Sequence, residues 1–243
     1  LVAFLMNKQY LKRLPYPISF LSLLVLSACG GGSKSDSSGE SSTPTPTPDP
    51  VVPYTGSVIK GPLENALVFL DYDGDGVLGA DEPSIRTNSD GSFELSGNVS
   101  GVGFVAQTDA TTVDTSSGEV LDNVVLKAPS GSSVVTPTTT IMQEAGISKE
   151  EVVAVLGLPT GVDPTTFNPY STDADPEIAL AVEKVSQQVM TTVTAVSSAI
   201  EGAGADKASA FSVALETVVE VVKEKAEVVK ENPEAVVEKL DFS

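Results

Sequence analysis

The spacing of apolar residues changes once along this chain, at Thr136, and that change limits the fold more than any other feature. Before it, apolar residues come in short runs bounded by turn residues: Gly56–Ile59, Ala66–Leu70, Ser92–Leu95, Val102–Ala106 and Glu119–Leu126. Runs of this length suit strands and are too short to hold as free helices. Asn88-Ser89-Asp90-Gly91 reads as a hairpin turn between two of them. Strands in succession with no helix between them predict a small antiparallel β-sandwich over residues 55–135.

After Thr136 the period becomes helical. Thr136-Pro137 reads as an N-cap with proline at the first helical position. Ser148-Lys149-Glu150-Glu151 is a capping box, with Gly157 as the stop. Asp175-Pro176-Glu177 opens a longer helix. Its apolar residues are Ile178, Val182, Val185, Val189, Val193, Val196 and Ile200, spaced four, three, four, four, three and four, and Gly202 and Gly204 end it. A second stripe carries Leu215, Val219, Val222, Ala226 and Val229, and Asn232-Pro233-Glu234 restarts it toward Val236 and Leu240. Such a seam serves a coiled coil or a hairpin that packs its own faces. Val218, Val221 and Val228 widen the stripe beyond a two-position seam and favour the hairpin. Valine-rich helices have poor intrinsic propensity, so they depend on that packing or on a partner helix. The expected fold class is α+β, a small antiparallel β-sandwich followed by an α-helical hairpin or bundle over residues 136–243.

The N-terminal segment reads differently. Lys8, Lys12 and Arg13 precede the apolar run Ile18–Leu26, then Leu26-Ser27-Ala28-Cys29-Gly30. A charged start, a short apolar stretch and small residues before a cut form a targeting signal. The apolar run is too short for a permanent membrane-spanning helix. The segment resembles a bacterial lipoprotein signal, with Leu-Ser-Ala-Cys as its lipobox. That resemblance implies a signal peptide over residues 1–28, lipidation of Cys29 and anchoring to a membrane through the lipid. By the same resemblance to lipoproteins of Gram-negative bacteria, Gly30 rather than Asp after the cysteine implies an outer-membrane or cell-surface location. Gly30–Pro50 has no apolar residue to drive packing. Its Gly/Ser half is flexible and its Thr-Pro half favours an extended chain, so residues 29–54 read as a tether.

Composition removes several functions. The chain has no His and one Cys, which rules out Ser-His-Asp and Cys-His catalysis, histidine-ligated zinc and an intrachain disulfide. Against 33 acidic residues stand 14 basic ones, a net charge of -19, which argues against a nucleic-acid partner. Aromatics make up 5% and Trp is absent, which weakens the case for a sugar-binding platform. No Walker, dinucleotide-binding or nucleophile-elbow pattern occurs. The chain reads as a non-enzyme.

One acidic stretch calls for a cation. Asp71-Tyr72-Asp73-Gly74-Asp75-Gly76-Val77-Leu78-Gly79-Ala80-Asp81-Glu82 fits D-x-D-x-D-G-x5-E at every defining position. Calcium takes six to eight oxygens. Asp71, Asp73 and Asp75 supply alternate carboxylates, Gly76 the bend, Val77 a backbone carbonyl, Gly79 a water-accessible position and Glu82 two closing oxygens. Leu78 is expected to point inward. The cofactor this implies is Ca2+, and the cation removes the mutual repulsion of the carboxylates. The flanks are not those of a helix-loop-helix. A strand-like run precedes the loop, and Pro83 after it opposes strand pairing while allowing a helix start. Asp109, Asp114, Glu119 and Asp122 read as a solvated acidic loop.

The stretch GSVIKGPLENALVFLDYDGDGVLGADEPSIRTNSDGSFEL, residues 56–95, resembles the B-type repeats of bacterial surface adhesins (collagen-adhesin B and serine-aspartate-repeat B types). The likeness lies in the apolar strand, the Asp-Gly loop, Asp81-Glu82-Pro83, and Thr87-Asn88-Ser89-Asp90-Gly91-Ser92-Phe93. Asn88 stands where those repeats have Asp. The resemblance implies a transthyretin-like or immunoglobulin-like sandwich rigidified by calcium. Residues 132–170 resemble segments that follow such modules in large marine bacterial surface proteins. The expected function is therefore a calcium-binding, adhesin-like or structural surface lipoprotein with a surface or envelope ligand. The alternative is an envelope assembly protein that docks a partner through its C-terminal helices.

Overall fold

The computed structural model describes residues 53–231. The expected signal segment, Cys29, most of the tether, and Val236 and Leu240 lie outside the described residues. Among the described residues ten strands come first: β1 Pro53–Val58, β2 Leu63–Glu64, β3 Leu67–Asp71, β4 Ser84–Arg86, β5 Ser92–Ser96, β6 Gly103–Gln107, β7 Val113–Asp114, β8 Glu119–Val120, β9 Val125–Ala128 and β10 Val134–Val135. Four helices follow: α1 Pro137–Ala145, α2 Lys149–Leu156, α3 Pro176–Gly202 and α4 Lys207–Glu231. The protein is α+β, with largely antiparallel sheets followed by helices, the last two long.

The strands form three sheets, ordered β10-β1-β5, β2-β7-β8 and β4-β3-β6-β9. The four-stranded sheet is antiparallel throughout, with Phe69 opposite Val105 and Phe104 opposite Ala128. Its central strands are buried over three consecutive residues each, Val68 to Leu70 and Phe104 to Ala106. This explains why they read as continuous apolar runs: a strand covered on both faces has no solvent side to alternate with. In β5, by contrast, Phe93 and Leu95 turn inward while Glu94 and Ser96 face water. One pairing is parallel: β1 lies beside β10 with Ser57 opposite Val134.

Two expectations about this region are corrected. Glu119–Leu126 is not one strand. Asn123 adopts φ 61°, a left-handed conformation that breaks an extended run, and β8 and β9 end up in different sheets. Pro83 does not start a helix. It leads directly into β4, and its carbonyl accepts the Leu70 N–H at 3.2 Å. Proline at the start of an edge strand leaves no ladder hydrogen bond unmade.

The helices begin and end on local chemistry. Thr136 caps α1 with Pro137 behind it, and Gly146 closes it in the left-handed conformation. Ser148 and Glu151 exchange side-chain and backbone bonds around the start of α2, and Gly157 stops it at φ 69°. Asp175 caps α3 by accepting from the Glu177 and Ile178 N–H groups. The long helices bury one stripe each, Val182, Val189, Met190 and Val193 on α3 and Phe211, Ala214, Val218, Val222 and Ala226 on α4. They pack along one another as a hairpin. Val218 is buried, whereas Val228 stands 51% exposed.

Helix α1 covers the β9 edge of the four-stranded sheet. The Lys127 N–H, which a further strand would otherwise take, donates to the Thr140 hydroxyl at 2.9 Å. The Thr139 hydroxyl donates to the Lys127 carbonyl at 2.8 Å. Edge groups are thus satisfied by threonine side chains rather than left as a template for another chain. The buried residues of sheets and helices form one continuous cluster, from Val58 and Phe104 through Ile141 and Val155 to Val193 and Val222. Position 135/136 is a change of element type inside that core.

Candidate metal centre

The acidic loop leaves the end of β3 at Asp71 and returns to the sheet at Ser84. Its shape is held by its own carboxylates. Asp71 accepts the Gly74 N–H through Oδ1 at 2.9 Å and the Gly76 N–H through Oδ2 at 3.1 Å. Asp73 Oδ1 accepts from Asp75 at 3.2 Å, and Asp75 Oδ1 accepts the Val77 N–H at 2.7 Å. Glu82 reaches back across the loop, taking the Tyr72 N–H at 2.6 Å and the Gly79 N–H at 2.7 Å. Gly76 sits at φ 74°, which favours glycine there. Gln107 of β6 donates to the Gly76 carbonyl at 3.0 Å and ties the bend to the sheet.

These bonds converge three acids. Asp71, Asp73 and Glu82 each place a carboxylate oxygen within 4.8 Å of the other two. Asp75 is not among them, because its carboxylate turns to the Val77 N–H. The Gly79 carbonyl accepts the Glu82 N–H at 3.3 Å, a further link within the loop. Val77 is 62% exposed. Leu78 does not point inward as expected. It lies at the surface, 36% exposed, in a loop whose residues are nearly all exposed.

A carboxylate has about four lone-pair sites, so one that accepts N–H bonds keeps capacity for a cation. Three carboxylates around one point are the donor set of a hard divalent ion. The cluster of Asp71, Asp73 and Glu82 could therefore hold a metal ion. Opposite Asp71 and Asp73, across an open cleft, stand Lys127 of β9 and Gln143 and Glu144 of α1. Lys127 pairs with Glu144 at 2.7 Å. A Cβ placed on Gly76 would lie 3.2 Å from Lys127 Nζ, so this ammonium lies against the loop.

The other acids noted in the sequence divide. Asp90 caps its turn by accepting from Ser92, and these bonds hold its carboxyl below the ordinary value. Asp109 accepts from Thr111 and pairs with Arg86 at 2.7 Å, which together bring its pKa to about 2. Asp114 is not a solvated loop residue. It is 1% exposed and accepts from the Ser116 N–H and hydroxyl and from Lys60. Its carboxyl is pushed up by burial, but the Ser116 bonds and the Lys60 ammonium outweigh that and leave it below the usual range. Sequence spacing could not find this pair, since 54 positions separate its members. The one local sign was Gly61: a Cβ there would run into the Asp114 and Ser116 side chains.

No helix among the described residues is long and apolar enough to cross a membrane. Compared with protein-family models, curated proteins and solved structures, the chain has no match.

Proposed function

We propose that this chain is a non-catalytic, calcium-binding surface lipoprotein, adhesin-like or structural, in which Ca2+ rigidifies the β region. One observation carries the reading: the loop that fits the calcium motif gathers the carboxylates of Asp71, Asp73 and Glu82. Asp75, the Val77 carbonyl and the water-accessible Gly79 position complete the shell when the ion binds. Calcium bound there ties the end of β3 to the start of β4, because Asp71 closes one strand and Glu82 precedes the other. Lipidation of Cys29 and the tether over residues 29–54 place this body at the outer membrane or cell surface.

The finer fold belongs to the same reading. A transthyretin-like or immunoglobulin-like sandwich is supported by Tyr54 of β1 stacking on Phe104 of β6, ring centroids 4.8 Å apart, with Phe93 of β5 at 6.0 Å. These contacts join the β10-β1-β5 sheet to the four-stranded sheet. The second reading, an envelope assembly protein docking a partner through its helices, draws on Leu180 and Val228, exposed 70% and 51% on α3 and α4.

The test is thermal melting of residues 51–243 in excess chelator and then in millimolar calcium, beside a Asp73→Ala, Glu82→Ala variant. Calcium at a hundred times its Kd stabilises the folded state by about 2.7 kcal/mol. For a chain of this size that is a rise of about 5–10 °C. A rise in the parent and none in the variant supports the reading. No rise in either sinks it and leaves the helices as the place to seek a partner.

A further inference from the structure

Helix α1 covers only part of the β9 edge, and the rest opens into a cleft of about 680 Å³ between β9 and α4. Val125 of β9 lines it, with Phe211, Leu215 and Val219 spaced one turn apart on α4. The direction of the Val125 backbone follows from the ladder. In an antiparallel pair, residues along a strand alternate between bonding the neighbouring strand and facing away from it. The Thr108 N–H donates to the Val124 carbonyl at 2.9 Å, and the register continues with Ala106 opposite Leu126. Val124 and Leu126 therefore face β6, while Val125 and Lys127 face outward. At Lys127 the outward N–H and C=O meet Thr140 and Thr139 of α1. At Val125 no group among the described residues takes the outward N–H or C=O.

These features select a guest. A free strand donor and acceptor on a sheet edge match the backbone of an extended segment. The apolar stripe of α4 matches an apolar side chain. Charge decides the rest. Asp75, Glu144 and Glu216 line the cleft against one base, Lys127, which is already paired with Glu144 at 2.7 Å. The neighbouring Asp122 and Lys207 lie 3.6 Å apart and cancel. The cleft is therefore net acidic, and it repels an acidic segment. A small amine would answer the acids but leave the strand edge unpaired.

We propose that this cleft receives an extended, basic segment of a partner protein. The segment pairs with Val125 as a short added strand beside β9, sets an apolar side chain against Phe211 and Leu215, and meets the acids with lysine or arginine. Neither reading above uses this edge, and the inference is independent of calcium.

The test is an NMR titration of the isotope-labelled chain, in chelator, with the capped peptide Lys-Val-Lys-Val-Lys. The expected result is a saturable shift of the Val125 amide and slower exchange of its proton. The same peptide methylated on every backbone nitrogen should bind more weakly by about fivefold or more, the loss of edge hydrogen bonds. Val125→Pro, at an outward edge position where proline is tolerated, should weaken the parent peptide to a similar degree. Should that variant fail to fold, Glu216→Lys on the exposed side of α4 serves beside the methylated peptide, with a loss of about threefold expected at low ionic strength. No shift at Val125 overturns the proposal. So does equal binding of the methylated peptide, of Glu-Val-Glu-Val-Glu, or of a simple alkylamine at the same residues.

Discussion

Lys60 Nζ lies 3.2 Å from Asp114 Oδ2, in an ion pair whose acid is 1% and base 13% exposed. It fastens the β1–β2 turn to β7, and the same turn is held from α3 by Gln187 on the Lys60 carbonyl. Removing one partner of a buried pair leaves the other charge unpaired. Asp114→Asn is expected to cost about 3 kcal/mol, near the low end of that effect because Lys60 keeps some solvent. The sign with pH follows from the direction of the shift. A carboxyl held below its unfolded value of about 3.9 stabilises above that pH. The contribution is lost as pH falls through the folded value. Urea denaturation of parent and variant from neutral to acid pH checks both: the gap between them should narrow below about pH 4.

At the loop, Asp73 and Asp75 should separate. Asp73 already lies with Asp71 and Glu82, whereas the Asp75 carboxylate is engaged by the Val77 N–H. Asp73→Asn is expected to weaken calcium binding by about tenfold or more, about 1.4 kcal/mol. Asp75→Asn should weaken it less. Calorimetric titration of both variants decides, and equal losses would show that the loop rearranges fully around the ion.

Lys127 opposes a cation at the same loop, since its ammonium lies against Gly76 and is tied to Glu144. Lys127→Met removes that charge and frees the carboxylate of Glu144. Calcium affinity is expected to rise by about fivefold at low ionic strength, on the order of 1 kcal/mol for charges separated by a solvated cleft. The gain should shrink in salt as the Debye length contracts. Titration at two salt concentrations tests this, and an unchanged affinity would remove Lys127 from the account.

Tyr170 gives the alkaline limit. Burial, then its bond to Glu183, push its pKa up to about 12. A folded value above the unfolded value of about 10 means a contribution fully present below pH 10. That contribution is lost as pH rises toward 12. Burial also raises the Tyr54 phenol, so phenolate absorbance should show two late-titrating tyrosines, one of them lost in Tyr170→Phe, and the stability of that variant should fall less steeply over the same window.

Local chemistry in the sequence determined where the helices begin and end. Thr136-Pro137, the Ser148–Glu151 box, Gly157 and Asp175-Pro176 act within four residues of themselves, so each is readable without knowing the fold. The same holds for the strand before Asp71 and, in part, for the motif from Asp71 to Glu82: Asp71, Asp73 and Glu82 come together, while Asp75 turns to the Val77 N–H and Gln107 of β6 holds the bend. The tertiary structure decided what depends on distant partners. It buried Asp114 against Lys60, split Glu119–Leu126 between two sheets and turned Pro83 into the entry to β4. It paired β1 with β10 in parallel and left Leu78 outside. Hydrogen-bond caps and turn angles are short-range and written in adjacent residues. Burial and charge pairing depend on which surfaces meet, and that is fixed only when sheets and helices close on one core.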